Sequence, residues 1–366
     1  MFEIDFFSQS EQAIITLARE KLRQDVEDWE KQIWQFIIDW YNPSITTIQI
    51  FTSGSTGTPK QITHSKLAML NSAAATCTAL NLKPGNRALL CLPINKIAGI
   101  MMAVRSIHNK MKLVCIKPST TPFAALPETL NIDFAAFTPM QFYEVIANRT
   151  SYNRANKMGK IILGGEDLRL ESIHFIRELK SEVYTTFGMT ETISHIALKR
   201  INGDNPEASF KILPGIHITV DDRSCLVIDA PQLGQPHLVT NDVINLVGNN
   251  EFHWLGRADN VINSGGVKIY PEEIERQLLK EVYTPYFIAS LPDSKTGERV
   301  VLAMETDNLS ETEKGRLTSI FGNLEKLNRP KQVLLIPRFI TTENGKLKRK
   351  ESLLNCIETI EFSYKE

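Results

Sequence analysis

The chain has 366 residues, 41 basic against 42 acidic, enough for two or three domains and a large core, and without the basic footprint of a nucleic-acid binder. Five cysteines (Cys77, Cys91, Cys115, Cys225, Cys356) stand singly and seven histidines form no ligand set, which excludes a disulfide framework and a zinc site. The N-terminus has no basic region followed by an apolar core and no run reaches membrane-span length, so a soluble, cytoplasmic protein with no membrane span is expected.

Residues 10–41 carry a helical pattern closed by Pro43, with Ile14, Leu17, Leu22, Trp34 and Ile37 among its apolar positions. A β-branched run at 45–51 predicts a strand. It leads into Thr52-Ser53-Gly54-Ser55-Thr56-Gly57-Thr58-Pro59-Lys60, which reads as a phosphate-binding loop. Gly54 and Gly57 let backbone N–H groups close on phosphate oxygens, the hydroxyls add donors, and Lys60 brings a mobile positive charge. It is not a Walker A loop, because Thr58-Pro59 separates the glycine from the lysine. Helices are then expected at 65–82, 98–108, 139–148 and 170–180. Strands are expected at 87–92, 112–116, 134–137, 160–163 and 182–186. Such alternation predicts a largely parallel sheet covered by helices, with ligands beyond the carboxyl ends of its strands. The loops at 52–60, 93–99, 164–168 and 187–191 fall at those ends. From about residue 210, short β-branched runs predict a small antiparallel β subdomain. Residues 256–260 read as a linker, followed by a compact α+β unit with helices at 271–279 and 311–321.

With these residues in view, the chain resembles the adenylate-forming superfamily of acyl-CoA synthetases, adenylation domains and luciferases. The phosphate loop matches the family's hydroxyl- and glycine-rich signature ending in Pro-Lys. Phe187-Gly188-Met189-Thr190-Glu191 is similar to its aromatic-Gly-x-Thr-Glu motif, and Thr240-Asn241-Asp242 to Thr-Gly-Asp, with Asn in place of glycine. Gly256-Arg257-Ala258-Asp259 resembles the hinge motif. Ser264-Gly265-Gly266-Val267-Lys268-Ile269-Tyr270-Pro271-Glu272-Glu273-Ile274-Glu275 is the most specific stretch, and Asn344-Gly345-Lys346 resembles the C-terminal lysine motif.

The resemblance implies an α/β protein. A large N-terminal adenylation domain would span 1–256, with mostly parallel helix-covered sheets and a small β subdomain at about 207–256. A hinge at 257–260 and a mobile α+β C-terminal lid domain at 261–366 would follow. The segment before the phosphate loop is shorter than is usual in the family. The implied substrates are ATP, a small carboxylic acid and CoA, with Mg²⁺ as cofactor. Thr52, Ser53, Gly54, Ser55, Thr56, Gly57 and Lys60 would hold the β- and γ-phosphates, Thr190 would donate to the α-phosphate, and Glu191 would offer a carboxylate to Mg²⁺. Gly164, Gly165, Glu166 and Phe187 would sandwich adenine, Gly188 would belong to the same ATP site, and Asp242 and Arg257 would take the ribose. Lys346 would bridge the substrate carboxylate and the α-phosphate. Asp259 would be the pivot, and Gly265-Gly266 would line a CoA tunnel. Lys348, Arg349 and Lys350 read as solvated, or as contacts for the phosphates of CoA. Plainer readings stand beside these: Glu191 as a helix N-terminal charge, Phe187 as core, Asp242 as a turn residue.

The acid is suggested by Leu92-Pro93-Ile94-Asn95-Lys96-Ile97-Ala98-Gly99, where many relatives carry an aromatic residue and a histidine; Lys96 stands in the histidine's place. Arg105 follows on an apolar helix, and its offset from Gly99 resembles the o-succinylbenzoate–CoA ligases of menaquinone biosynthesis. That dicarboxylate has one group to activate and a second that needs a cation, for which a guanidinium offers a planar fork. The alternatives are a surface arginine, an aryl or fatty acid–CoA ligase, an enzyme loading a carrier-protein thiol, and a non-catalytic nucleotide-binding paralogue.

Overall fold

The computed structural model describes residues 1–52, 60–164, 175–279, 281–341 and 347–364, with the side chains of Thr52 and Lys60 excepted. Two compact units emerge. The first comprises Met1–Thr219, Val227–Leu238 and Leu246–His253, and the second comprises Val220–Leu226, Val239–Asn245 and Trp254–Glu366.

The first unit opens with strand β1 (Phe2–Asp5), then helices α1 (Glu11–Leu22) and α2 (Asp28–Tyr41). The helical pattern over 10–41 is therefore two helices rather than one. The apolar positions do not lie on one continuous stripe: α1 buries Ile14 and Ala18, α2 buries Ile33, Trp34, Phe36, Ile37 and Trp40, and a break between them lets both faces turn inward. Helix α2 has no basic residue in its last turn. Lys66 supplies one from elsewhere, its Nζ donating to the carbonyls of Asp39 and Trp40 at 2.7 Å and of Asn42 at 3.0 Å. A cation on those orphan carbonyls complements the helix dipole.

Strands β2 (Thr47–Thr52) and β3 (Lys60–Ser65) pair antiparallel with each other, from Thr47↔Ser65 to Thr52↔Lys60, as a separate two-stranded sheet. This differs from the expectation that the phosphate loop ends a parallel strand: it joins the two strands of a ribbon. Alternation turns Ile50 and His64 inward and leaves Phe51, Gln61, Thr63 and Ser65 exposed. Ser65 then caps α3 (Lys66–Ala79), its hydroxyl accepting from Ala68 N.

The large sheet is built from β4 (Arg87–Leu90), α4 (Ile97–His108), β5 (Lys112–Cys115), β6 (Phe134–Phe137), α5 (Pro139–Ala147), α6 (Arg149–Ala155), β7 (Lys160–Leu163) and β8 (Glu182–Gly188). The strands β5-β4-β6-β7-β8 are parallel neighbours in that order. The chain leaves β4 for β5 on one side and then crosses to β6 on the other, so the order reverses between β4 and β6. Crevices at such a reversal bind ligands at the carboxyl ends of the strands. Strands β9 (His195–Arg200) and β10 (Phe210–Ile212) extend the sheet antiparallel beyond β8, and β1 pairs with β5. The chain then runs through β11 (His217–Val220), β12 (Cys225–Ala230), β13 (Gln235–Val247) and β14 (Glu251–Arg257).

In the second unit, β15 (Ile262–Ser264), β16 (Val267–Ile269), α7 (Pro271–Leu278), β17 (Tyr286–Asp293), β18 (Gly297–Glu305), α8 (Glu311–Gly322), β19 (Gln332–Ile336), α9 (Arg349–Leu353) and β20 (Glu358–Glu361) form an α+β body. Alternation along β18 divides its core between two faces. Val300, Leu302 and Met304 join Ile274, Leu278, Leu317 and Phe321, while Val301 and Ala303 join Phe287, Leu334 and Ile336. The protein is thus mixed α/β, with a large sheet that is parallel only across β5-β4-β6-β7-β8 and antiparallel at β1, β9 and β10, rather than mostly parallel as expected, and a smaller C-terminal α+β region.

Candidate active site

Strand β8 carries Phe187 and Gly188 at its carboxyl end, where a register shift breaks the ladder to β9. Gly188 is there for space. A Cβ on it would lie 2.3 Å from the Ser194 carbonyl oxygen and 2.4 Å from His195 Cα. The absent side chain lets the loop 189–194 return tightly onto its own strand. Buried Thr192 knits that loop, its hydroxyl accepting from Met189 N at 3.1 Å and lying 2.7 Å from the Ser194 carbonyl. Ile193 sits at φ 68° and is fully buried. A β-branched residue in the left-handed region costs roughly 1–3 kcal/mol, and such strain gathers at functional loops.

Within this loop Thr190 and Glu191 are half-buried. His64, on the return strand of the ribbon, places Nε2 at 2.8 Å from the Thr190 carbonyl oxygen. A carbonyl only accepts, so His64 donates from Nε2–H; burial holds its pKa below the ordinary range. Glu191 makes no hydrogen bond or ion pair among the described residues, and no cluster of three or more His, Cys, Asp or Glu able to hold a metal occurs among them. A lone carboxylate suits Mg²⁺ when phosphate oxygens complete the shell.

Phe187 packs edge-on against Phe252 at 5.1 Å and Phe210 at 5.7 Å, half-buried within an aromatic cluster. Gly164, at the end of β7, sits so close to β8 that a Cβ would lie 2.5 Å from Thr186 Oγ1. Ser53, Gly54, Ser55, Thr56, Gly57, Gly165, Glu166 and Lys346 lie outside the described residues. Thr52 and Lys60 are the facing pair at the end of the ribbon, and the antiparallel bridge Thr341↔Leu347 brackets the segment holding Lys346.

After β4, Lys96 is the N-cap of α4 and is exposed. Gly99 lets that helix press onto the preceding loop, a Cβ there lying 2.2 Å from the Pro93 carbonyl oxygen. Arg105 is only 2% exposed, while exposed Lys96 stands nine residues earlier, about 13 Å back along the helix axis. The Arg105 guanidinium donates to Ser194 Oγ at 2.7 Å, has the Met102 sulfur 4.0 Å from Nη1, and leaves Nε without a partner. No carboxylate faces it among the described residues, and burial pushes it down to about 10. His195, next to Ser194, is fully buried; burial first and the Arg105 charge second hold it well below its ordinary range.

The second unit gathers the remaining motif residues. Asp242, 6% exposed, accepts from Trp254 Nε1 at 3.0 Å and from Arg257 Nη1 at 3.1 Å. Asn241, where the motif has glycine, reaches Asp259 Oδ2 at 3.4 Å and accepts from Arg223 Nη1 at 3.2 Å. Asp259 lies exposed in the 3₁₀ turn Ala258–Asn260. Gly265 and Gly266 form the two-residue turn between β15 and β16 at φ +60° and +83°, as a primed hairpin turn requires. Glu272 and Glu275 prove structural: Glu272 Oε1 accepts from Asn260 Nδ2 at 2.6 Å, and Glu275 takes both Nη atoms of Arg349 at 2.5 and 2.9 Å. Arg349 also donates to the Ile288 carbonyl at 2.8 Å. This corrects the reading of Arg349 as a solvated or CoA-binding cation, because its guanidinium is consumed inside the unit. Lys348 pairs with Glu351 at 3.6 Å, and Lys350 is exposed.

Sequence reasoning missed His64, Thr76, Ser194 and His195 as neighbours of the expected residues. No local pattern marks them, since their partners stand 89 to 126 residues away in the chain.

The fold, with hydroxyl, glycine and carboxylate groups at its strand ends, is that of an adenylate-forming enzyme. The family described as AMP-binding enzyme matches residues 7–232, and the chain belongs to it. A solved acyl-CoA synthetase (AMP-forming)/AMP-acid ligase II-like protein from Dyadobacter fermentans is 34% identical, covering 93% of this chain and 97% of that one at a TM-score of 0.65. The 2-succinylbenzoate–CoA ligases of Lactococcus lactis and Escherichia coli are 25% and 26% identical over 82% and 76% of this chain. The chain spans 69% and 63% of their respective lengths. The o-succinylbenzoate CoA synthetase of Bacillus subtilis, solved with its acyl-adenylate intermediate, shares the fold at a TM-score of 0.67 and 20% identity, over 83% of this chain and 68% of that one.

Proposed function

We propose that the protein is an AMP-forming acid–CoA ligase acting on a dicarboxylate, with o-succinylbenzoate as the acid and menaquinone biosynthesis as the setting. The observation that carries the substrate class is Arg105: a buried guanidinium that, among the described residues, is bonded only to neutral groups and has Nε unpartnered. A buried cation without a counter-charge is costly, and an incoming carboxylate would supply the charge and the missing acceptors. A fatty acid would leave that cost in place.

In this reading the ribbon and residues 52–60 hold the β- and γ-phosphates, Thr190 donates to the α-phosphate, and Asp242 with Arg257 takes the ribose. Glu191 is the residue that would hold Mg²⁺, which supplies charge neutralisation on the phosphates when bound. A carboxylate oxygen of the acid attacks the α-phosphorus and pyrophosphate leaves. Lys346 bridges the two anions as they approach. Rotation about Asp259 then removes Lys346 and brings Gly265-Gly266 to the site. The CoA thiolate attacks the acyl carbon, and AMP leaves with the bonding electrons of the mixed anhydride.

Pyrophosphate release across a panel of acids, with and without CoA, tests the assignment. It should favour o-succinylbenzoate and yield its CoA thioester. Preference for a monocarboxylic acid, transfer only to a carrier-protein thiol, or no turnover with any acid would each replace it.

A further inference from the structure

Side chains from three separate parts of the first unit form one line of hydrogen bonds. Arg105 Nη2 donates to Ser194 Oγ at 2.7 Å, Ser194 Oγ lies 3.3 Å from His195 Nδ1, and His195 Nε2 lies 3.0 Å from Thr76 Oγ1. Thr76 Oγ1 in turn donates to the Ser72 carbonyl at 3.1 Å. Counting protons gives every bond its direction. A guanidinium has donors only, so Ser194 Oγ accepts and its one hydrogen is left for His195 Nδ1. Thr76 spends its hydrogen on the Ser72 carbonyl, so its oxygen accepts from His195 Nε2–H. His195 is then the neutral Nε2–H tautomer, with both nitrogens occupied.

We propose that Ser194 and His195 are positioning residues that fix the plane of the Arg105 guanidinium for the second carboxylate of the substrate. Long arginine side chains are rotamer-rich, and one oriented acceptor removes that freedom before the ligand arrives. The acceptor belongs to the loop that carries Thr190 and Glu191, so the activating end of the site and the anion-holding end hang on one short segment. Thr192 and the left-handed Ile193 stiffen that segment between them. The separation of the two carboxylates would be measured against it. What the guanidinium binds rests on the dicarboxylate reading above; the line of hydrogen bonds does not.

Two measurements on the full-length protein test this. Ser194→Ala and Ser194→Thr are assayed by pyrophosphate release with o-succinylbenzoate and with 4-oxo-4-phenylbutanoate, which lacks the second carboxylate. Ser194→Ala should lower kcat/KM for the dicarboxylate roughly tenfold, leave the monoacid and the KM for ATP unchanged, and be rescued by Ser194→Thr. Equal losses on both acids, or none on either, overturn the positioning role. Independently of any acid, ¹⁵N NMR of histidine-labelled protein at pH 7, assigned by His195→Gln, should show His195 as the Nε2–H tautomer. Its Nδ1 resonance should move in Ser194→Ala. An Nδ1–H tautomer or an imidazolium overturns the line itself. A parent enzyme that does not distinguish the two acids defeats the dicarboxylate reading instead, and the imidazole resonances still decide this one.

Discussion

His64 Nε2 stands 2.8 Å from the Thr190 carbonyl oxygen, 126 residues away in sequence. One is on the ribbon that flanks the segment proposed to bind phosphate, the other in the loop after β8. The bond ties the register of the two, so that on the proposed reading the groups for the terminal phosphates and for the α-phosphate would be set together. The ring is buried, which shields its N–H donor from solvent.

Removing that donor should therefore hurt alignment more than folding. His64→Ala is expected to lower ATP–pyrophosphate exchange roughly 2- to 10-fold, the range for one net hydrogen bond. His64→Gln, whose amide N–H reaches near the same point, should recover most of it. Loss of exchange that tracks a fall in melting temperature in both variants would make His64 a packing residue only.

Arg105→Ala should lower kcat/KM for the dicarboxylate by roughly 10²–10³-fold, since stranding a buried charge costs about 3–5 kcal/mol. Arg105→Lys should recover part, because an ammonium lacks the planar fork. Lys96→Ala, altering an exposed side chain, should stay within about twofold of the parent. Steady-state kinetics with both acids separates this from a structural role: a purely structural arginine would lower activity on every acid alike.

Lys346 is assigned to the first half-reaction alone. Lys346→Ala should lose acyl-adenylate formation by several orders of magnitude, while thioester formation from supplied acyl-adenylate largely survives. Stopped-flow assays of the two halves check the split, and equal loss in both would reject it.

Arg349→Ala separates the corrected reading of that arginine from the expected one. It would strip the partly buried Glu275 of its bidentate partner, so unfolding should cost about 3 kcal/mol less, read by chemical denaturation. The KM for CoA should be nearly unchanged in protein that remains folded. A selective rise in that KM with unaltered stability would restore a CoA contact.

Much of the fold was legible because its signals are local. Helix α4 shows as an apolar run after Gly99, and Ser65 and Pro271 announce their helices. The motif loops stand where strands end. The ribbon was not legible, since the residues of β3, Lys-Gln-Ile-Thr-His-Ser, are mostly polar and become a strand only by pairing with β2. The break between α1 and α2 was hidden for a related reason: no glycine or proline marks it, and only burial on two separate faces requires it. Arg349 was misread because a basic run looks solvated until its carboxylate, 74 residues away, is placed beside it. Asp242 and Arg257 were expected near one nucleotide and are found paired, whereas Lys96 and Arg105 differ in a way no local pattern shows, one exposed at the start of α4 and the other buried within it.

The ribbon has a last consequence. Among the described residues its ladder joins β2 and β3 and no other strand. On the proposed reading, force from a bound nucleotide would fall on those few amides, on His64 at the Thr190 carbonyl, and on Lys66, just past the ribbon, at the end of α2. Nucleotide occupancy should then be written in amide exchange as slowed deuterium uptake over Thr47–Thr52 and Lys60–Ser65, with the ladder of β4 to β7 exchanging at its unliganded pace.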